Sequence, residues 1–179
     1  MWTINKMNQD EAEEIANSWK YPEPYSFYNL TEDIEDYNEI LDPTKRGDNF
    51  FTVQKDNTLI GYFCIELSNN SVSLGLGMKP NLTGNGKGKE FLEYIINFIS
   101  SKYNINKITL AVVDFNKRAF KVYRKSGFVV TGESKNPTNG GLYNLSLIPT
   151  SPSRRPLGFS PPPPPHPPPN PHPPVEIHI

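Results

Sequence analysis

The sequence predicts an α/β (α+β) domain, and three stretches carry that prediction. Residues 74–100, LGLGMKPNLTGNGKGKEFLEYIINFIS, pass from an apolar, glycine-punctuated run ending at Met78 through a glycine-rich turn into a helical pattern. Residues 49–55, 59–67 and 71–78 read as three strands, linked by Asp56-Asn57 and Asn69-Asn70, residue pairs that suit hairpins. Residues 128–131 and 141–147 read as a closing antiparallel pair, joined by a loop over 133–140.

The remaining elements follow in order. Residues 2–5 form a short strand. Asn8 and Glu11 have capping-box spacing, and Ala12, Ile15, Ala16 and Trp19 then line one helical face. Residues 19–28, WKYPEPYSFY, combine two prolines with five aromatic residues and predict an ordered, aromatic-lined loop. Residues 31–41 predict an acidic helix. Its carboxylates, Glu32, Asp33, Glu35, Asp36 and Glu39, form either a solvated face or an attractor for a cationic amine. After Pro80 and the glycine turn, Phe91, Leu92, Ile95, Ile96 and Ile99 recur at helical spacing. Residues 107–113 hold a buried-type apolar run, ITLAVV. Asn116 opens a helix to about Lys125, and Gly127 ends it at C′. The order is β, α, α, β, β, β, α, β, α, β, β.

The 179 residues suffice for one domain with a sizeable core. A net charge of −1 gives no bulk attraction to nucleic acid, so no such partner is expected. The single cysteine, Cys64, sits in an apolar strand and reads as a buried small hydrophobe. It allows no internal disulfide, which fits a reducing compartment. There is no span for a membrane and no basic-then-apolar leader, so a cytoplasmic location is expected. No metal is expected.

Composition breaks after Ile148: 14 of the 19 prolines lie from Pro149 onward. Residues 1–148 are therefore read as the domain, and 149–179 as a proline-rich disordered tail. Three readings of the tail stay open: a ligand for proline-binding domains, an inert spacer, or a non-native segment from a frame-shifted histidine tag.

The glycine turn reads as a pyrophosphate cradle, because glycines and a helix N-terminus present backbone N–H groups to an anion. A P-loop is excluded: Glu90 follows Gly88-Lys89 where Ser or Thr is needed, and Thr83 stands where the first glycine belongs. The spacing of Gly84, Gly86 and Gly88 also misses the dinucleotide fingerprint GxGxxG. A plain flexible βα loop is the bland alternative.

Thr83-Gly-Asn-Gly-Lys-Gly88 resembles the acyl-CoA motif Gln/Arg-x-x-Gly-x-Gly/Ala of the GNAT N-acetyltransferase family, with Thr83 in place of Gln or Arg. Met78-Lys-Pro80 is similar to the family's strand end, with Met for Val. Downstream, Asn116-Lys-Arg-Ala119-Phe-Lys-Val-Tyr123-Arg-Lys-Ser-Gly127-Phe128 resembles Asn-x-x-Ala-x-x-x-Tyr-x-x-x-Gly-Phe. Both motifs also resemble those of the RimI-like branch, the protein N-terminal acetyltransferases.

The resemblance covers roughly residues 1–148. It implies the GNAT acyl-CoA N-acyltransferase fold, with a mixed, mostly antiparallel central sheet flanked by helices. The implied cofactor is acetyl-CoA as co-substrate, and the implied partner a primary amine: a small amine, an amino-acid-like metabolite or a protein N-terminus. A homodimer is left open. Backbone groups of Gly84, Asn85, Gly86, Lys87, Gly88 and Lys89 would hold the pyrophosphate. Leu76, Gly77 and Met78, in a strand splayed by a bulge, would meet the pantetheine arm, and the Met78 N–H would hold the oxyanion. Asn116 would bond the pantetheine region, and Tyr123 would be the general acid on the thiolate. Tyr21, Tyr25 and Tyr28 either line the acceptor pocket or cover the core. RimI-type enzymes carry a glutamate five residues before the motif asparagine, where this chain has Ala111. Glu66 is the replacement candidate for the base, with ordered water as another route. Asp114 is another candidate for the base, but in the loop before Asn116 it reads rather as a cap on that turn. Two other readings are a catalytically weak acyl-CoA-binding module and a polyproline-tail interaction protein.

Overall fold

The structure, a computed structural model, describes residues 1–136 and 140–147. The tail readings and the boundary at 149 lie outside the described residues. The strands are β1 (Trp2–Lys6), β2 (Phe50–Lys55), β3 (Thr58–Ser68), β4 (Ser71–Met78), β5 (Lys107–Val113), β6 (Val129–Asn136) and β7 (Gly140–Leu147). The helices are α1 (Gln9–Ser18), α2 (Ile34–Leu41), α3 (Pro43–Arg46), α4 (Gly88–Lys102) and α5 (Lys117–Lys125). The strands form one sheet in the order β1-β2-β3-β4-β5-β7-β6. Only β4 and β5 run parallel, joined through α4; every other neighbouring pair is antiparallel. This is the mixed, mostly antiparallel sheet that the resemblance implies.

Strand alternation divides the core between two faces. Phe51, Phe63, Leu74, Leu76 and Met78 point to the side covered by Phe91, Leu92, Ile95 and Ile99 of α4 and by Ala119 and Tyr123 of α5. Phe50, Tyr62 and Cys64 point to the other side, where Ala12, Ile15 and Ala16 of α1 and Ile40 of α2 meet them. Cys64 is buried under these helices, and desolvation pushes its thiol up to about 12. The turns behave as their residues demand: Asp56 and Asn57 both have positive φ, as does Asn69. The Asn8–Glu11 capping box is closed in both directions.

Three boundaries differ from the sequence reading. The stretch expected as one helix over 31–41 is a 3₁₀ turn, Leu30–Glu32, followed by α2. The Asp33 carboxylate accepts from the N–H groups of Glu35 and Asp36 and sets the start there. The short α3 was missed, although Asp42 caps it and Pro43 opens it, a pair visible in the sequence. Finally, β6 runs to Asn136 and β7 starts at Gly140, so both strands reach into the loop expected over 133–140.

Arg46 clamps the helical layer. It is buried at 5% exposure, and its guanidinium donates to the Ile40 carbonyl and, at 3.1 Å, to the Gln9 side chain. Gln9 in turn donates to the Leu41 carbonyl at 3.2 Å. One planar fork thus ties the C-terminal end of α2, where the helix dipole also favours a cation, to the start of α1. Arg46→Lys keeps the charge but cannot span both partners. It is expected to cost about 1.5 kcal/mol, read as a fall of ~3–6 °C in melting temperature. A melt within 1 °C of the parent protein would show that the fork is replaceable.

Candidate active site

The site begins where β4 and β5 part. They pair only over Ser71↔Lys107 to Ser73↔Thr109. Beyond that, β5 continues against β7 as far as Val113, while β4 continues against β3 to the pair Gly61↔Met78. Among the described residues, 74–78 therefore present no ladder to β5, and a wedge opens between two parallel strands. The expected bulge is absent: the β3–β4 register is unbroken from Ser68↔Ser71 to Gly61↔Met78, so divergence alone opens the wedge. On the α1/α2 face, Gly75 and Gly77 leave the open part of β4 without side chains. Leu76 and Met78 point the other way, into the core under α4.

At the mouth of the wedge the chain makes a 3₁₀ turn, Pro80–Leu82, and then the glycine turn. The three glycines have different physical reasons. Gly84 and Gly86 have φ of +79° and +75°, which disfavours a side chain. Gly88 has ordinary φ, but a Cβ there would lie 3.3 Å from Val122 of α5, so it permits close approach of the two helices. The α4 N-terminus has no side-chain cap, and its N-cap residue is Lys87. Its 15 residues align a dipole on this turn. Asn85, Lys87 and Lys89 are exposed, and the two lysines pair with Glu90 (3.7 Å) and Glu93 (3.4 Å) of α4 itself.

From α5 comes Tyr123, fully buried at 0% exposure. Its hydroxyl has no hydrogen-bond partner among the described residues. Burial first, and the neighbouring Tyr28 phenol second, push it well above the usual tyrosine value. An unsatisfied buried hydroxyl costs free energy, which is recovered when a ligand atom meets it.

Asn116 caps α5: its side-chain oxygen accepts from the Ala119 N–H at 3.1 Å, and its amide nitrogen donates to the Tyr28 hydroxyl at 3.0 Å. It too is at 0% exposure, so its side chain serves the protein interior. The Tyr21 hydroxyl donates to the Met78 carbonyl at 2.8 Å, and its pKa is raised by burial. Tyr21 and Tyr28 thus brace the ends of β4 and α5. Tyr25, half-buried, packs on Phe115 and beneath the Arg118 guanidinium, 3.9 Å from the ring centre. The aromatic loop is ordered, as its composition predicts, and it joins the two halves of the site.

Glu66 is not brought to this place. It pairs with Ser73 while Met78 pairs with Gly61, five residues along the strand, or roughly 17 Å at strand rise. It is also exposed. The register, which the sequence alone leaves open, puts Glu66 at the wrong end of β3 for a base. A carboxylate that does approach the Met78 end is Glu14 of α1. It pairs with Lys79 at 2.8 Å and accepts from the Trp19 indole at 3.3 Å. Chiefly the Lys79 hydrogen bond holds it below the usual carboxylate range, which makes it a weak base. Ala111 lies opposite Asn144 in the β5–β7 ladder and supplies no carboxylate. Among the described residues no cluster of metal-ligating side chains occurs, and no helix is long and apolar enough to cross a membrane.

The fold that carries this site is shared with known proteins. A family model described as an acetyltransferase (GNAT) domain matches residues 3–141, and the chain belongs to this family of acetyltransferases. In fold it is similar to the N-acetyltransferase PseH of Campylobacter jejuni, solved with acetyl coenzyme A. The two are 22% identical, with a TM-score of 0.62, over 84% of this chain and 100% of that one. It is similar also to a ribosomal-protein alanine N-acetyltransferase of Escherichia coli, at 14% identity and a TM-score of 0.62, over 89% and 100%. A third is a variant of the spermidine N-acetyltransferase SpeG of Vibrio cholerae, at 19% and 0.61, over 82% and 93%. No curated protein matches the chain in sequence. Because these enzymes have different acceptors, the RimI-like branch is not singled out.

Proposed function

We propose that the chain transfers an acetyl group directly from acetyl-CoA to a primary amine. The observation that carries this reading is the wedge between β4 and β5, which leaves backbone groups of 74–78 without a β5 partner among the described residues. When bound, acetyl-CoA supplies a thioester whose carbonyl carbon is open to attack. The N–H groups of residues 84–89 hold the pyrophosphate at the head of α4. Leu76 offers its backbone N–H and carbonyl to the pantetheine arm, as a strand edge offers them to a peptide, whereas Gly77 turns its own to Tyr62 of β3 and contributes a surface without a side chain. The Met78 N–H polarises the thioester carbonyl and holds the charge that grows on its oxygen. Tyr21 fixes the end of β4 that carries this N–H.

The amine nitrogen forms the new C–N bond, the C–S bond breaks, and the sulfur takes a proton from the Tyr123 phenol. The proton shed by the amine leaves through ordered water and returns to the phenol. Asn116 and Tyr28 hold α5, and so Tyr123, in place. In this reading Tyr25 borders the acceptor pocket, while Tyr21 and Tyr28 brace β4 and α5. A small amine, an amino-acid-like metabolite and a protein N-terminus are the acceptor classes. Ala111, where RimI-type enzymes carry glutamate, weighs against the last of these.

Calorimetric titration of the full chain with acetyl-CoA tests the reading, with saturable binding at one site per chain expected. An amine panel then reads free CoA with a thiol reagent. Cys64 does not interfere, since its buried thiol stays protonated at assay pH. Failure to bind acetyl-CoA would overturn the reading.

A further inference from the structure

The family motif opens with Gln or Arg, and this chain has Thr83 there. The Thr83 hydroxyl is spent locally, on the Pro80 carbonyl at 2.8 Å. The two lysines beside the glycines are drawn to Glu90 and Glu93 on their own helix. A different cation occupies the mouth of the turn. A Cβ built on Gly84 would lie 3.4 Å from a guanidinium nitrogen of Arg118, the second residue of α5. One face of that guanidinium lies over the Tyr25 ring at 3.9 Å. Stacking fixes the plane of the group and leaves its in-plane N–H donors available. Among the described residues Arg118 has no carboxylate within salt-bridge distance.

We propose that Arg118, held on Tyr25, binds the donor's pyrophosphate in place of the side chain the motif lacks at position 83. This rests on acetyl-CoA being the donor. The cation arrives from the second motif instead of the first, across the gap between α4 and α5. Because Tyr25 belongs to the aromatic loop over 19–28, the same stack links donor binding to that loop's order.

The test is calorimetry on the full chain with acetyl-CoA and, by competition, with S-acetylpantetheine, which has no phosphate. Arg118→Ala is expected to weaken acetyl-CoA binding about tenfold or more, as loss of a charge-assisted hydrogen bond does. The same change should leave S-acetylpantetheine within about twofold. Adding Thr83→Arg to Arg118→Ala should restore most of the affinity, and thermal melts of all variants should coincide with the parent's. Wild-type binding with an unaffected Arg118→Ala variant overturns the assignment and leaves the donor reading standing. Equal losses for both ligands, or no recovery with Thr83→Arg, also overturn it. A wild-type protein that binds no acetyl-CoA removes both readings together.

Discussion

Tyr123→Phe is expected to lower kcat by about 10²–10³-fold, the range for loss of a positioned proton donor. The same variant should bind acetyl-CoA with nearly unchanged affinity and melt at the parent temperature or slightly above it. The two expectations come from one atom. Its hydroxyl is fully buried and unpartnered among the described residues, so the folded chain without ligand gains nothing from it. Removing an unsatisfied buried donor can relieve ~1 kcal/mol. In the reaction the same group meets a sulfur on which negative charge grows, and its loss is felt only there.

The pH profile follows from the sign of the shift. Burial raises the Tyr123 pKa, so the neutral phenol persists through pH 10 and beyond. No descending limb below about pH 10 should therefore belong to Tyr123. A drop in melting temperature with unchanged kcat would make the hydroxyl a structural group and remove it from the chemistry.

Local chemistry was legible in the sequence wherever the cause is local. The Asn8–Glu11 box, the left-handed Asp56-Asn57 turn, the Asn116 cap and the C′ glycine Gly127 (φ +94°) each depend on a few adjacent residues. The turn at Gly84 and Gly86 was legible for the same reason. What failed was set at long range. Glu66 looked close to Met78 because it lies on the adjacent strand, but register decides which end of that strand is near. A bulge was expected in β4 because two glycines make distortion easy, whereas the wedge arises from β5 turning to β7. Arg118 stood in the second motif at a position that the motif leaves free, and nothing nearby in sequence says that it lies over Gly84. Tyr21 and Tyr28 were read as pocket wall or core cover; their hydroxyls reach across 57 and 88 residues to the ends of β4 and α5.

Gly61 was also passed over, though a lone glycine inside a strand signals close approach. A Cβ there would lie 2.4 Å from two ring atoms of Phe91 and 2.9 Å from the Gly77 carbonyl oxygen. Neither neighbour can yield freely: Phe91 is at 0% exposure in the core, and Gly77 is in the β3–β4 ladder beside Met78. Gly61→Ala is therefore expected to cost about 3 kcal/mol, the upper end for overpacking, and to lower the melting temperature by ~6–12 °C. Phe91 is in the first turn of α4, so whatever lifts its ring also lifts the helix start from which the glycine turn hangs. Acetyl-CoA affinity should fall with stability, although residue 61 lies beneath the helix that carries the turn. Phe91→Leu in the same chain vacates ring volume where the new methyl needs it. The double variant should therefore melt well above the value expected from adding the two single losses. Strict additivity would mean that the ring is not what opposes the methyl, and that Gly61 does not set the height of the turn.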